Sequence, residues 1–168
     1  GKANLTQPII KDITSGGTHT SGVIQYAYSI YRINSGQSQT SPLSDQVALN
    51  NTGILGDNVN KQSNTVPVVR IENIPEDYTN IKIYSIKYTS FGVPPEVNII
   101  YDQRIPSSGN VEVFDDGSIL GSITLAEFLF LSIDIIIPKH INSKDNYMFY
   151  ANYEEKEFEM NIDLRAYS

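Results

Sequence analysis

Residues 80–88 read Asn-Ile-Lys-Ile-Tyr-Ser-Ile-Lys-Tyr, with Ile81 and Ile83 flanking Lys82, and with Tyr84, Ile86 and Tyr88 separated by Ser85 and Lys87. Successive side chains of an extended strand point to opposite faces, so this two-residue period fits a strand and does not fit the 3.6-residue period of a helix. A second stretch, residues 23–33, is rich in β-branched and tyrosyl residues; it sets Ile24, Tyr26, Tyr28 and Ile30 on one face against Val23, Gln25, Ala27, Ser29 and Tyr31 on the other. Shorter strands are predicted over 46–49, 67–74, 97–105 and 110–114, with turns at Asn34-Ser-Gly36, Pro75-Glu-Asp77, Gly92-Val-Pro-Pro95 and Pro106-Ser-Ser-Gly109. Strands bounded by turn signals about every 8 to 12 residues mark a β-sandwich or barrel.

The sequence therefore predicts an all-β chain in three parts. Residues 1–21 are polar and turn-rich, with Ser15-Gly-Gly17 leading into Thr18-His-Thr-Ser21, and read as an extended arm. Residues 22–117 hold six or seven strands, enough for an immunoglobulin-like or fibronectin type III-like sandwich. Residues 118–168 hold a linker helix, a strand and a closing hairpin. The helix is signalled by Thr124-Leu-Ala-Glu127, a capping box in which threonine hydroxyl and glutamate carboxylate each satisfy a free amide. In the hairpin, Phe158, Met160, Ile162 and Leu164 share one face of a strand, opposed by Glu157, Glu159, Asn161 and Asp163. Residues 50–65 form a loop dense in Asn, Gly and Asp, of a length that tends to be functional or mobile.

Charge and cysteine content narrow the function. The net charge of -7 argues against a grip on duplex nucleic acid, which needs clustered lysine and arginine. Without cysteine there is no disulfide framework, thiol nucleophile or sulfur-ligated metal. Eleven tyrosines and no tryptophan supply side chains that bury a ring and keep a wet hydroxyl, as lateral protein contacts require. The apolar stretch 125–137 is interrupted by Glu127 and Asp134 and falls short of the roughly 20 residues a bilayer needs, so no membrane span is predicted. The chain opens on Gly1 with no charged and apolar leader, and is expected to be one segment of a longer polypeptide or a processed product.

No constellation points to catalysis or to a cofactor. Glu112, Asp115 and Asp116 are close in sequence, but Asp115-Asp-Gly117 is first a turn, and neighbouring side chains on an extended chain point apart. Asp57, Asn58 and Asn60 lack the spacing of a calcium loop. His19 and His140 read as ordinary loop histidines, too few for a zinc site. Neither a phosphate-binding loop nor a dinucleotide fingerprint is present.

The closing segment carries a resemblance. Asn146, Phe149, Tyr150, Ala151 and Asn152 precede the acidic hairpin, and Asp163, Arg165, Ala166 and Tyr167 form a terminal D-x-R-A-Y. This ending is similar to that of the large tail "stabilization" proteins, of nozzle or muzzle type, in podophages, particularly crAss-like phages of gut Bacteroidetes. Two further stretches resemble fibronectin type III modules: Gly36-Gln-Ser-Gln-Thr-Ser-Pro-Leu-Ser44 after a tyrosine-rich strand, and Ile81-Lys-Ile-Tyr84. The resemblance implies a non-enzymatic part of a virion tail, made in the host cytoplasm and working in DNA retention and ejection. Its implied partners are other tail proteins, copies of itself and other segments of its parent polypeptide. Interface candidates are Phe149, Tyr150, Asn152, Phe158, Asp163, Arg165 and Tyr167. The alternative reading is a carbohydrate-binding or adhesin module of a tail fibre or bacterial surface protein, using the 50–65 loop and exposed tyrosines.

Overall fold

The computed structural model describes residues 4–49 and 62–132. Their elements are β1 (Ile9–Ser15), β2 (Gly22–Tyr31), β3 (Val47–Leu49), β4 (Thr65–Ile71), β5 (Asn80–Tyr88), β6 (Glu96–Arg104), β7 (Val111–Phe114), β8 (Gly121–Ile123) and α1 (Leu125–Ser132). The strands form two antiparallel sheets, ordered β1-β4-β7 and β3-β2-β5-β6-β8. The all-β expectation holds.

The two longest strands set the core. β2 and β5 pair from Val23 opposite Tyr88 to Tyr31 opposite Asn80, which puts Tyr28 beside Ile83 and Ile30 beside Ile81. These four pack with Ile71, Ile74 and Val111 between the sheets; Ile24, Tyr26, Val47, Leu49 and Val69 form an adjoining cluster. Each such side chain contributes roughly 1.5–3 kcal/mol by leaving water.

The five-stranded sheet is buried on its other face as well. Ala27, Tyr84, Ile86 and Val97 pack with Phe128 of α1, and the Tyr84 and Phe128 rings meet edge to face, 5.6 Å apart at 65°. This explains why the apolar phase of β5 changes midway, since Ile81 and Ile83 face the other sheet while Tyr84 and Ile86 face the helix. β6 follows the change with a register shift opposite Ile83 and Tyr84; the extra residue, Ile100, packs on both inter-sheet clusters. The capping box forms as read: Glu127 N–H donates to Thr124 Oγ1 and Thr124 N–H to Glu127 Oε1, both at 3.0 Å.

Within the stretch expected as an arm, Ile9–Ser15 is a strand paired with β4, with a register shift between Ile10 and Asp12. All but one of its seven residues are exposed, so no alternation of apolar residues announced it. The three-residue β8 on the edge of β6 was equally silent in the sequence.

One flank of β2 is closed by a ladder of serines. Ser38, Ser41 and Ser44 donate their backbone N–H groups to the carbonyls of Ile30, Tyr28 and Tyr26, at 2.8 to 2.9 Å. In return, the N–H groups of those same three residues donate to the serine hydroxyls, at 2.9 to 3.1 Å. Each hydroxyl also donates to the next residue's carbonyl. The serines recur every three residues and the strand positions every two, so each rung leaves residues outside the ladder. Among these, Thr40 receives the end of α1, its N–H reaching the Leu131 carbonyl and its hydroxyl the Ser132 hydroxyl.

Candidate functional site

The most concentrated polar chemistry among the described residues is buried at one end of the two sheets. Asp115 follows β7 and is 2% exposed. Its Oδ2 accepts a 2.6 Å hydrogen bond from the Tyr26 hydroxyl and lies 3.2 Å from His19 Nε2, and its Oδ1 accepts the Gly117 N–H. Tyr26 belongs to the five-stranded sheet, Asp115 follows the three-stranded one, and His19 sits on the crossing between β1 and β2. The carboxylate therefore clamps three segments. Burial, then the charge and hydrogen bond of Asp115, drive the Tyr26 hydroxyl well above its ordinary pKa. Lys87 lies on the same inner face, and its ammonium donates to Thr20. Burial lowers its pKa, while Glu96 and Asp115 oppose the shift.

The chain is tightly threaded here. Gly117 has φ +101°, and a Cβ built on it would stand 2.6 Å from Thr18 Oγ1. Only glycine meets both demands. Thr18 donates its N–H and hydroxyl to the Asp116 carbonyl, and the Asp115 N–H donates to Pro67, completing a knot of backbone contacts between crossing and turn.

The three neighbouring carboxylates go to three places. Glu112 lies on the outer face of the three-stranded sheet, accepting from Lys11 at 2.8 Å and Arg70 at 3.2 Å. Its carboxyl is held below the usual range first by the Lys11 hydrogen bond and also by Arg70. Asp116 caps its own exposed turn by accepting the Ser118 N–H at 3.0 Å, which lowers its carboxyl too. No two of them face a common cleft. His19 lies on a connection between strands, as read, but it is only 8% exposed. Its polar neighbours in sequence disguise a position enclosed by residues distant in the chain. Among the described residues, no group of three or more His, Asp or Glu is placed to hold a metal ion, and no helix is long and apolar enough to cross a membrane.

Among the apolar side chains exposed on the described residues are those of the β5–β6 connection and of α1. At the β5–β6 connection, Val93 N–H closes a turn on the Ser90 carbonyl; Gly92 takes φ +81° at the third position, where type II turns need a positive φ. Phe91, at the second position, is fully exposed, and Val93 is half exposed. On α1, Phe128 is buried whereas Leu129 and Phe130 are 50% and 65% exposed. Leu129 lines a groove with Leu5, Pro42, Leu43 and Phe128.

Comparison with known proteins places this architecture. A family profile described as the Crassvirus muzzle protein matches residues 1–168. The chain belongs to that family. The muzzle protein of Bacteroides phage crAss001 is 25% identical over 159 residues, which cover 93% of this chain and 11% of the relative. The chain thus spans about a tenth of that relative's length. Membership makes it a virion structural protein of a crAss-like phage, and bears out the resemblance read from its ending.

The interface candidates Phe149, Tyr150, Asn152, Phe158, Asp163, Arg165 and Tyr167 lie outside the described residues, as do Asp57, Asn58, Asn60 and His140. The clamp, in contrast, had no signal in the muzzle-family sequence. His19 and Asp115 are 96 positions apart, and nothing local says that either is buried. The nearest hint is Asp115-Asp-Gly117 itself, a turn ending a strand.

Proposed function

We propose that this chain is a wall element of the phage tail, part of a nozzle- or muzzle-like assembly, and acts through subunit contacts in retaining and releasing DNA. The observation that carries the reading is the family match over residues 1–168. Two physical features support it. The sheets are rigidly packed, with Tyr26, Tyr28, Tyr84, Ile81 and Ile83 each at most 1% exposed, as a load-bearing spacer needs. The charge of -7 suits a wall past which DNA moves without sticking.

On this reading the role is non-enzymatic, the partners are other tail proteins, copies of the chain and further segments of its parent polypeptide, and assembly takes place in the host cytoplasm. Phe149, Tyr150, Asn152, Phe158, Asp163, Arg165 and Tyr167 are its proposed contact residues in the closing segment. The sandwich is proposed as fibronectin type III-like, with residues 22–117 as its body, 1–21 as an arm and 118–168 as the linker and hairpin. Family membership favours this function over a carbohydrate-binding module.

Immunogold labelling of purified particles with antibody to the chain tests the proposal. Gold at the tail end is expected. Particles without label, or label confined to fibres, would overturn it.

A further inference from the structure

β1 buries less of itself than any other strand of seven or more residues, with six of its seven residues exposed. Leu5 ahead of it and Ile10 within it pack partly on the inter-sheet clusters. The rest of its hold is backbone pairing with β4, interrupted by the register shift between Ile10 and Asp12, and the surface ion pair of Lys11 with Glu112. An edge strand held in this way opens at a fraction of the free energy of global unfolding. β4 is its opposite, since Val66, Val68, Val69 and Ile71 are each at most 5% exposed. When β1 leaves, a well-buried strand shows an unpaired row of N–H and C=O groups, which is a template for another strand.

The connection after β1 supplies a pivot. Thr18 is fixed to the Asp116 carbonyl and His19 lies against Asp115, whereas Gly16, at φ +110°, has nothing within 4 Å of the place a Cβ would take. A change of dihedral at Gly16, with loss of its hydrogen bonds to Asn64, swings residues 4–15 away while the crossing stays in place. Charge favours an acidic destination: residues 1–21 hold Lys2, Lys11 and Asp12, a formal +1, which leaves -8 on the remainder of a chain of net charge -7. The arm is attracted to the body of a neighbouring copy as it is to its own.

We propose that β1 is exchanged between copies, leaving β4 of its own chain and pairing with β4 of a second copy. The exchanged strand meets the same register and the same Glu112 that it meets at home, so the fold itself supplies the complementarity. The closed and exchanged arrangements differ chiefly at Gly16, and copies held side by side in an assembly favour exchange through their high effective concentration. This rests on the proposed reading that copies of the chain contact one another; what it adds is the element that links them.

The absence of cysteine makes a direct test clean. Ile9 and Arg70 are direct cross-strand partners, so their Cα atoms lie within the range that a disulfide spans. Full chain carrying Ile9→Cys and full chain carrying Arg70→Cys are unfolded together, refolded at about 1 mM, the scale of effective concentration in a tethered assembly, and oxidised with diamide. The mixture is expected to give at least about tenfold more disulfide-linked dimer than either variant alone, because only exchange sets position 9 of one chain beside position 70 of another. A chain carrying both substitutions, refolded and oxidised at high dilution, has β1 tied to its own β4. It is expected to keep its circular dichroism and to stay monomeric by light scattering at the concentration where the unsubstituted chain associates. A mixture that links no better than the single variants overturns the proposal, and so does a tied chain that associates as the unsubstituted one does. Either failure leaves the tail reading standing if immunogold still finds the chain at the tail, and the two ideas are thereby separable.

Discussion

The outer faces of the two sheets are finished differently. That of the five-stranded sheet is apolar and roofed by α1, with Ala27, Tyr84, Ile86 and Val97 under Phe128. That of the three-stranded sheet carries Lys11, Arg70, Glu72 and Glu112 in an exposed ion-pair network. The first sheet is therefore held from both sides by burial, and the second from one side only, supplemented by the Asp115 clamp. The lesson is that surface charge gives the three-stranded sheet solubility, while its attachment comes from the buried polar contact and the inter-sheet core.

That contrast can be broken at its strongest point first. Asp115→Ala leaves the Tyr26 hydroxyl and His19 enclosed without their partner, and is expected to cost about 2–4 kcal/mol in denaturant unfolding, on the scale of about 1–3 kcal/mol for each orphaned polar group. Hydrogen exchange should rise first in β1 and β7; a loss below about 1 kcal/mol would show that the clamp does not secure the sheet. Phe128→Ala removes the roof on the other side, at about 3 kcal/mol, with exchange rising in α1, β6 and β8 while β1 and β4 stay protected. Uniform exchange across both sheets would erase the distinction.

Alkaline titration sharpens the same point. The folded chain keeps Tyr26 protonated above its ordinary pKa, so its contribution is intact below about pH 10 and is lost above it, as the unfolded chain ionises first. The Tyr26 share of the fall in unfolding free energy there should be up to about 1.4 kcal/mol per pH unit, beside smaller shares from Tyr28 and Tyr88, whose hydroxyl pKa burial also raises, and Tyr26→Phe should make the slope shallower. The smallest effect is expected from Arg70→Ala. Its ion pairs are solvent-exposed, so the change in unfolding free energy should be the smallest of the four and shrink further in high salt.

Legibility followed burial. β2 and β5 could be read because their side chains alternate between environments, and α1 because Thr124 and Glu127 sit at capping-box spacing. β1 could not: exposed nearly throughout, it owes its extension to pairing with β4, a partner some 55 residues away in sequence. The clamp was illegible for a related reason, since its members are contributed by three segments whose meeting is a product of the whole topology. The serine run from Ser38 to Ser44 was visible as a resemblance, yet its work became clear only when the hydroxyls were seen to accept from the β2 amides.

That run of serines also decides how the sheet can grow. From Tyr26 to Ile30, alternate amides and carbonyls on the ladder flank of β2 are taken by a segment that is not itself a strand, and from Gly22 to Ile24 the same flank pairs with β3. An incoming chain finds no open row of donors and acceptors to copy, so strand addition has no template on that side. On that flank, contact with a neighbouring molecule is left to side chains.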